Sequence, residues 1–283
     1  MDTDFSIVVA GTRVPSFLYG TAWKEDDTQR CVEDALAAGF RGIDTANQRR
    51  HYFEAGVGAA IAKSLSRGQI TREDLFLQTK FTSIDGQDNR LPYDPRAPVD
   101  VQVKQSFASS LEHLHTPFLD SYVLHGPSRS RGLTSDDWSI WRAMEGLHRE
   151  GKVKLLGISN VSLEQLQLLC ESAKIRPAFV QNRCFARRGW DQDIRAYCRE
   201  NQVIYQGFSL LTANQQIFES PRFFEIVDRV GCTPAQAVFR FALQIGMLPL
   251  TGTTDPSHMR EDLDSVKFEL SSEDIQTIEG LFL

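Results

Sequence analysis

Short apolar runs alternate with longer stretches whose apolar positions recur every three to four residues, along almost the whole chain. The runs at 17–20, 42–44, 75–80, 120–125, 153–159, 179–183, 203–208 and 247–251 are partly β-branched or aromatic, and turn residues or charges flank them. That pattern predicts eight strands. Between them lie helical patterns. Residues 26–38 carry Cys31, Ala35 and Ala38 on one face and stop at Gly39, a left-handed cap residue. Residues 99–114 align Val99, Val103, Phe107 and Leu111. Ser162, followed three residues later by Gln165, has the spacing of a capping box. Thr233-Pro234 opens another helix with proline in its first turn.

Strands that alternate with helices pair in parallel through crossover connections. Eight such units predict an α/β chain folded as a (β/α)8 barrel. A short N-terminal hairpin is expected at 2–15 and an extra C-terminal helix at 271–281, with 1–283 forming one domain. The turn after the first strand has no G-x-G-x-x-G fingerprint, which argues against a doubly wound dinucleotide fold. Residues 81–98, rich in Asp, Pro and Gly, follow the third strand. A long loop at the carboxyl end of a barrel strand is where substrate contacts belong.

Composition narrows the function. The 283 residues carry a net charge of −6, which disfavours non-specific binding to nucleic acid or anionic membrane. No run approaches the about 20 apolar residues of a membrane span, and the N-terminus lacks a basic region followed by an apolar one. Cys31, Cys170, Cys184, Cys198 and Cys232 are scattered and odd in number, so reduced thiols in a cytoplasmic protein are expected. No metal is expected. The chain should be a monomer or a weak homo-oligomer.

Candidate chemistry lies at the strand ends. The second strand ends at Asp44, the third at Lys80, the fourth at His125 and the fifth at Ser159-Asn160. Any one of these reads as well as a helix cap or a solvated charge. Three ionisable groups on consecutive strands at one rim suit proton transfer. A buried lysine beside an aspartate keeps its charge and favours a nearby phenolate. Tyr52, in the loop after Asp44, would complete the set as a general acid toward a carbonyl oxygen.

At these positions the chain resembles the aldo-keto reductases along nearly its whole length. The matching stretches include Gly20-Thr21, the run from Ala38 to Ala46, Glu54 with Val57-Gly58, Thr79-Lys80 and Leu119-Asp120-Ser121-Tyr122. They continue with His125, Gly157-Ile158-Ser159-Asn160, Gln181 and Thr233-Pro234-Ala235-Gln236. The resemblance implies a carbonyl-reducing oxidoreductase that uses NADPH, with NADH possible, on a small-molecule carbonyl substrate. It assigns catalysis to Asp44, Tyr52, Lys80 and His125, with Lys80 lowering the tyrosine pKa. Contacts to the cofactor would come from Gly20, Thr21, Ser159, Asn160, Gln181, Phe208, Ser209, Leu211, Thr253, Thr254 and Arg260.

Four departures from the family pattern bear on this reading. The position five residues after Asp44, where the family carries its tyrosine, is Arg49. Counting back from Val57-Gly58 reaches His51 or Tyr52, depending on a one-residue gap, and Tyr52 takes the role as the tyrosine within reach. Phe208 stands where the family stacks a tyrosine on the nicotinamide. The loop after the eighth strand has Gly252 near the family's lysine position and His258 near its arginine, while Asp255 opposes a phosphate unless it caps a helix. Two tryptophan positions are filled by Thr82 and Gly126, which predicts a wide pocket unless Phe53, Phe81, Tyr93 or Trp190 refills it. Two other functions compete. One is a cofactor-binding regulatory subunit with little turnover. The other is an isomerase or aldolase in which Lys80 forms a Schiff base.

Overall fold

The computed structural model describes residues 6–282. A hairpin of β1 (Ser6–Val9) and β2 (Thr12–Pro15) turns through Ala10 and Gly11, both at positive φ, which suits the right-handed twist of a two-residue turn. The expected hairpin is therefore present from Ser6 onward, and residues 2–5 lie outside the described part. Eight strands then close a parallel barrel: β3 (Leu18–Gly20), β4 (Gly42–Asp44), β5 (Phe76–Phe81), β6 (Leu119–Leu124), β7 (Val153–Ser159), β8 (Phe179–Arg183), β9 (Ile204–Phe208) and β10 (Leu248–Thr251). Every strand predicted from the sequence is present, with ends that differ by a residue in five of the eight.

Helices connect the strands on the outside. They include α1 (Thr28–Ala38), α2 (Glu54–Ser66), α3 (Val99–Leu114), α4 (Ser135–Arg149), α5 (Leu163–Ser172), α6 (Gln192–Glu200), α7 (Pro221–Val230), α8 (Pro234–Gln244), α9 (Pro256–Asp264) and α10 (Ser272–Gly280). The capping box expected at Ser162–Gln165 forms, a second forms at Thr233–Gln236 where a helix start was expected, and Gly39 ends α1 at φ 117°. Gly58 is fixed by packing: a Cβ there would sit 1.8 Å from the His113 carbonyl oxygen, where α2 crosses the end of α3. Among the described residues no helix is long and apolar enough to cross a membrane.

Strand alternation sorts the interior from the helix-facing shell. Inside the barrel, Leu18, Phe76, Leu155, Phe179, Leu248 and Leu250 form an apolar floor, with Val14 of the hairpin packed into it. One step up, the inner layer becomes polar on five of the strands: Asp44, Gln78, Ser121, Gln181 and Gln206. Another step brings Lys80 and, beyond the end of β6, His125. The alternate residues Tyr19, Ile43, Leu77, Phe81, Tyr122 and Tyr205 face the helices and join the larger core. The barrel thus grades from dry floor to polar mouth, and the mouth is the carboxyl end of the strands.

Candidate active site

The polar layer is closed on itself. Gln78 donates to Asp44 Oδ1 (2.7 Å) and Gln206 Oε1 (2.8 Å), Gln206 returns a bond to Gln78 Oε1 (3.1 Å), and Ser121 donates to the same oxygen (2.8 Å). Gln181 Nε2 donates to Asp44 Oδ1 (3.0 Å) and Gln206 Oε1 (2.9 Å). Lys80 Nζ sits above this layer and donates to Asp44 Oδ2 (2.6 Å), Asp44 Oδ1 (2.8 Å) and the Thr45 carbonyl (2.8 Å). The three ammonium donors are thus matched to three acceptors. Both partners are buried, a setting where an ion pair holds only if its remaining bonds are satisfied. Burial lowers the Lys80 pKa and the Asp44 charge opposes that shift.

The loop between β4 and α2 places His51 and Tyr52 differently. Gln48 anchors it by donating to the Gly86 carbonyl, and the backbone N–H groups of His51 and Tyr52 both return to the Gln48 carbonyl. This turn sends the two rings in different directions. His51 bonds Gln48 Oε1 (3.0 Å) and stacks on Trp23 with ring centroids 4.0 Å apart. Tyr52 instead turns inward. Its ring lies 5.2 Å from Lys80 Nζ and meets the His125 ring edge-on at 5.9 Å. Burial raises the Tyr52 pKa, reinforced by the Asp44 charge, which is opposite to the lowering expected from Lys80. The physical reason is that Asp44 neutralises the lysine charge locally, and Lys80 faces the ring, so desolvation decides the direction.

His125 is held by Thr82, whose Oγ1 lies 2.7 Å from Nδ1. Burial and the nearby Lys80 charge push its pKa down to about 3, so the imidazole is neutral at physiological pH. Thr82 escaped the sequence reading as a positioning residue. Its position in β5's inward register, two residues after Lys80, was the available signal. The same alternation turns Phe81 outward, where it packs on Tyr93. Trp190 packs on Phe241 and donates to the Ile278 carbonyl. Among the described residues none of Phe53, Phe81, Tyr93 and Trp190 lines the cavities at the mouth, so none of them refills the space beside Thr82 and Gly126. Trp23, 69% exposed, lines both.

Two adjoining cavities open above the polar layer and share Tyr52, His125, Asn160 and Phe208. The larger, 930 Å³, runs from Asp44 and Tyr52 past Ser159, Gln181, Ser209 and Leu211 to Thr253, Thr254, His258, Glu261 and Asp262. The smaller, 470 Å³, is walled by Trp23, Gln48, His51, Thr82, Asp85, Gly126 and Arg183. Of the expected cofactor residues, Gly20, Ser159, Asn160, Gln181, Phe208, Ser209, Leu211, Thr253 and Thr254 line the larger cavity. Thr21 and Arg260 do not: Thr21 bonds the Asp44 carbonyl beneath the mouth, and Arg260 is exposed and donates to Ser257. Asp255 caps α9 by accepting from the Ser257 N–H (2.7 Å).

The larger cavity suits a nicotinamide dinucleotide at one end better than at the other. Asp44 and Gln206 fix the Gln181 amide nitrogen, and among the described residues its Oε1 has no hydrogen-bond partner, leaving an acceptor for a carboxamide N–H. Ser159 is less free, because its hydroxyl donates to the Gln181 carbonyl (2.6 Å) and accepts from Asn160. At the far end Tyr19 and Lys24 hold the loop after β10 through the carbonyls of Thr253 (2.8 Å) and Gly252 (2.7 Å). Lys24 is the lysine or arginine in that lining, and Asp262, pushed up to about 6 by burial, stands there with Glu261.

A parallel eight-stranded barrel with a buried Asp–Lys pair, a tyrosine and a neutral histidine at its mouth defines a class of oxidoreductases. The aldo/keto reductase family model matches residues 16–282, and the chain belongs to that family. It is 31% identical over 296 residues to deoxymugineic acid synthase 1 of Oryza sativa subsp. japonica, covering 96% of this chain and 88% of the relative. It is 28% identical over 274 residues to the glyoxal reductase of Bacillus subtilis, covering 96% and 90%. Among solved structures, an aldo/keto reductase from Brucella melitensis superposes with a TM-score of 0.82 at 27% identity over 98% of both chains. An aldo-keto reductase solved in complex with NADPH shares the fold with a TM-score of 0.83 at 24% identity, over 98% of this chain and 87% of that one.

Proposed function

We propose that the chain reduces aldehyde or ketone carbonyls to alcohols, with Tyr52 as the general acid. The observation that carries this reading is the convergence of Tyr52, His125 and the Lys80–Asp44 pair where the two cavities meet. A reduced nicotinamide bound along the larger cavity would supply the hydride. Tyr52 gives its hydroxyl proton to the carbonyl oxygen as the C=O π bond breaks, so carbon gains hydride, oxygen gains the proton, and an alcohol results. The phenolate left behind recovers its proton from water in the cleft. Lys80, kept charged by Asp44, limits the cost of that phenolate.

Neutral His125, oriented by Thr82, offers Nε2 to the same carbonyl oxygen and sets its approach. Gln181 Oε1 and Asn160 would hold the carboxamide, with Phe208 as the stacking face. NADPH is the expected cofactor and NADH an accepted one, because the far end of the cavity carries little positive charge for a 2′-phosphate. The reading is tested with Tyr52→Phe, which keeps the ring and removes the donor. We expect kcat to fall by about a thousandfold while NADP⁺ still quenches protein fluorescence. Full turnover in Tyr52→Phe would overturn it.

A further inference from the structure

The smaller cleft contains a cation that the reduction does not use. On β8 the inward register runs Phe179, Gln181, Arg183, and Arg183 pairs with Phe208 on β9. The Arg183 guanidinium lies 5.6 Å from the Phe208 ring centroid, and its side chain lines the cleft that Tyr52 and His125 also line. Arg183 is exposed, so it retains both charge and access. Arg30, Arg49, Arg72, Arg149, Arg195 and Arg229 each contact a carboxylate. Among the described residues Arg183 has neither a carboxylate nor a hydrogen-bond partner.

The guanidinium lies over the Phe208 ring, its N–H groups carry no hydrogen bond to the described residues, and their planar fork matches a carboxylate in shape and charge. Arg187 and Arg188 lie over Phe185 in the turn that follows β8, and they add positive charge beside the same rim on a chain of net charge −6. Asp85 lines the cleft from the turn after β5, three strands away around the barrel. It repels an anion from that side and leaves the Arg183 side as the place where one settles.

We infer that Arg183 is a specificity-determining residue and that the carbonyl substrates favoured by this chain carry a carboxylate. The inference rests on the reductase reading above. The test compares 3- and 4-carboxybenzaldehyde, two separations of carbonyl and carboxylate, with the corresponding neutral formylbenzamides, using wild type, Arg183→Gln and Arg183→Lys. Terephthalate, which has no reducible carbonyl, is titrated into each protein by calorimetry.

Wild type should favour at least one acid over its amide by about tenfold, and Arg183→Gln should lower that kcat/KM ratio to near unity. Arg183→Lys should keep part of it, and terephthalate binding should weaken in step. If none of the four aldehydes is reduced while terephthalate binding still depends on Arg183, the reductase reading falls and the anion subsite stands. Equal reduction of acid and amide in wild type and Arg183→Gln, with terephthalate binding indifferent to Arg183, overturns the subsite and leaves the reductase reading intact.

Discussion

The two ends of the larger cavity are built by opposite means. At the Tyr52 end every charge is matched: Lys80 has three acceptors, Asp44 accepts from Gln78, Gln181 and Lys80, and the whole set rests on strands packed over a dry floor. At the far end the lining comes from the loop after β10 and from α9. Thr254 and His258 are exposed, and Glu261 and Asp262 contribute acid without a neighbouring arginine in the lining. Strands fix reacting groups to fractions of an ångström, whereas an exposed loop tolerates exchange of its charged residues. The chemistry of the family is therefore expected to be rigidly set in this chain, and its cofactor selectivity weakly set.

The largest expected effect breaks the first end. Lys80→Met leaves Asp44 buried without its cation, which should cost about 3–5 kcal/mol of stability and nearly abolish reduction. Asp44→Asn should also lower turnover, because it removes the charge that opposes deprotonation of the buried Lys80. Denaturant unfolding together with steady-state kinetics measures both, and full activity in Lys80→Met would end the idea that this pair acts on Tyr52.

A smaller effect sharpens the second end. His258→Arg adds an exposed cation in the first turn of α9, beside the cavity. Affinity for NADP⁺ should rise by about tenfold relative to NAD⁺, read by fluorescence titration at fixed salt. In wild type the two should differ by about tenfold or less. An unchanged ratio in the variant would mean that the 2′-phosphate lies elsewhere.

The third test addresses the cleft beside Tyr52. A Cβ at Gly126 would meet Asn160 Cβ at 3.5 Å, an ordinary contact, so a side chain can start there without displacing backbone. A tryptophan buries on the order of 200 Å², and large carbonyls should lose several-fold more kcat/KM than small aldehydes. Equal losses across a size series would place the bound substrate away from Gly126.

The smallest expected effect is the absence of a step. His125 is held neutral down to about pH 3 and burial also lowers the His51 pKa, while Tyr52 is raised and stays protonated. Reduction, measured as kcat/KM, should vary by no more than about twofold between pH 5.5 and 8.5. A one-proton inflection in that range, below the ordinary histidine value, would mean that His51 fills the acid position.

The positions of Asp44, Lys80 and His125 were legible because each stands at or beside the end of a strand that is otherwise largely apolar, and strand ends share one rim in a parallel barrel, whereas mid-strand Gln181 was legible only through the family resemblance. Gln78 and Gln206 were not legible as network members. They sit in mid-strand, and a glutamine there has no local signature until its partners on other strands are known. The loop at 45–53 was ambiguous for a related reason. A one-residue gap exchanges His51 for Tyr52, and only the Gln48 anchor at Gly86 shows which ring turns inward.

The sequence by itself determined the eight strand–helix units, the hairpin that precedes them and the rim where ionisable groups gather, because each follows from local periodicity and from where a run ends. Tertiary structure decided which side chains share a face across strands. It turned Phe81 outward and Thr82 inward, buried Trp190, and left Arg260 outside the cavity. It also set the direction of the Tyr52 pKa, because desolvation and the pairing of Lys80 with Asp44 depend on atoms brought together from different strands and loops.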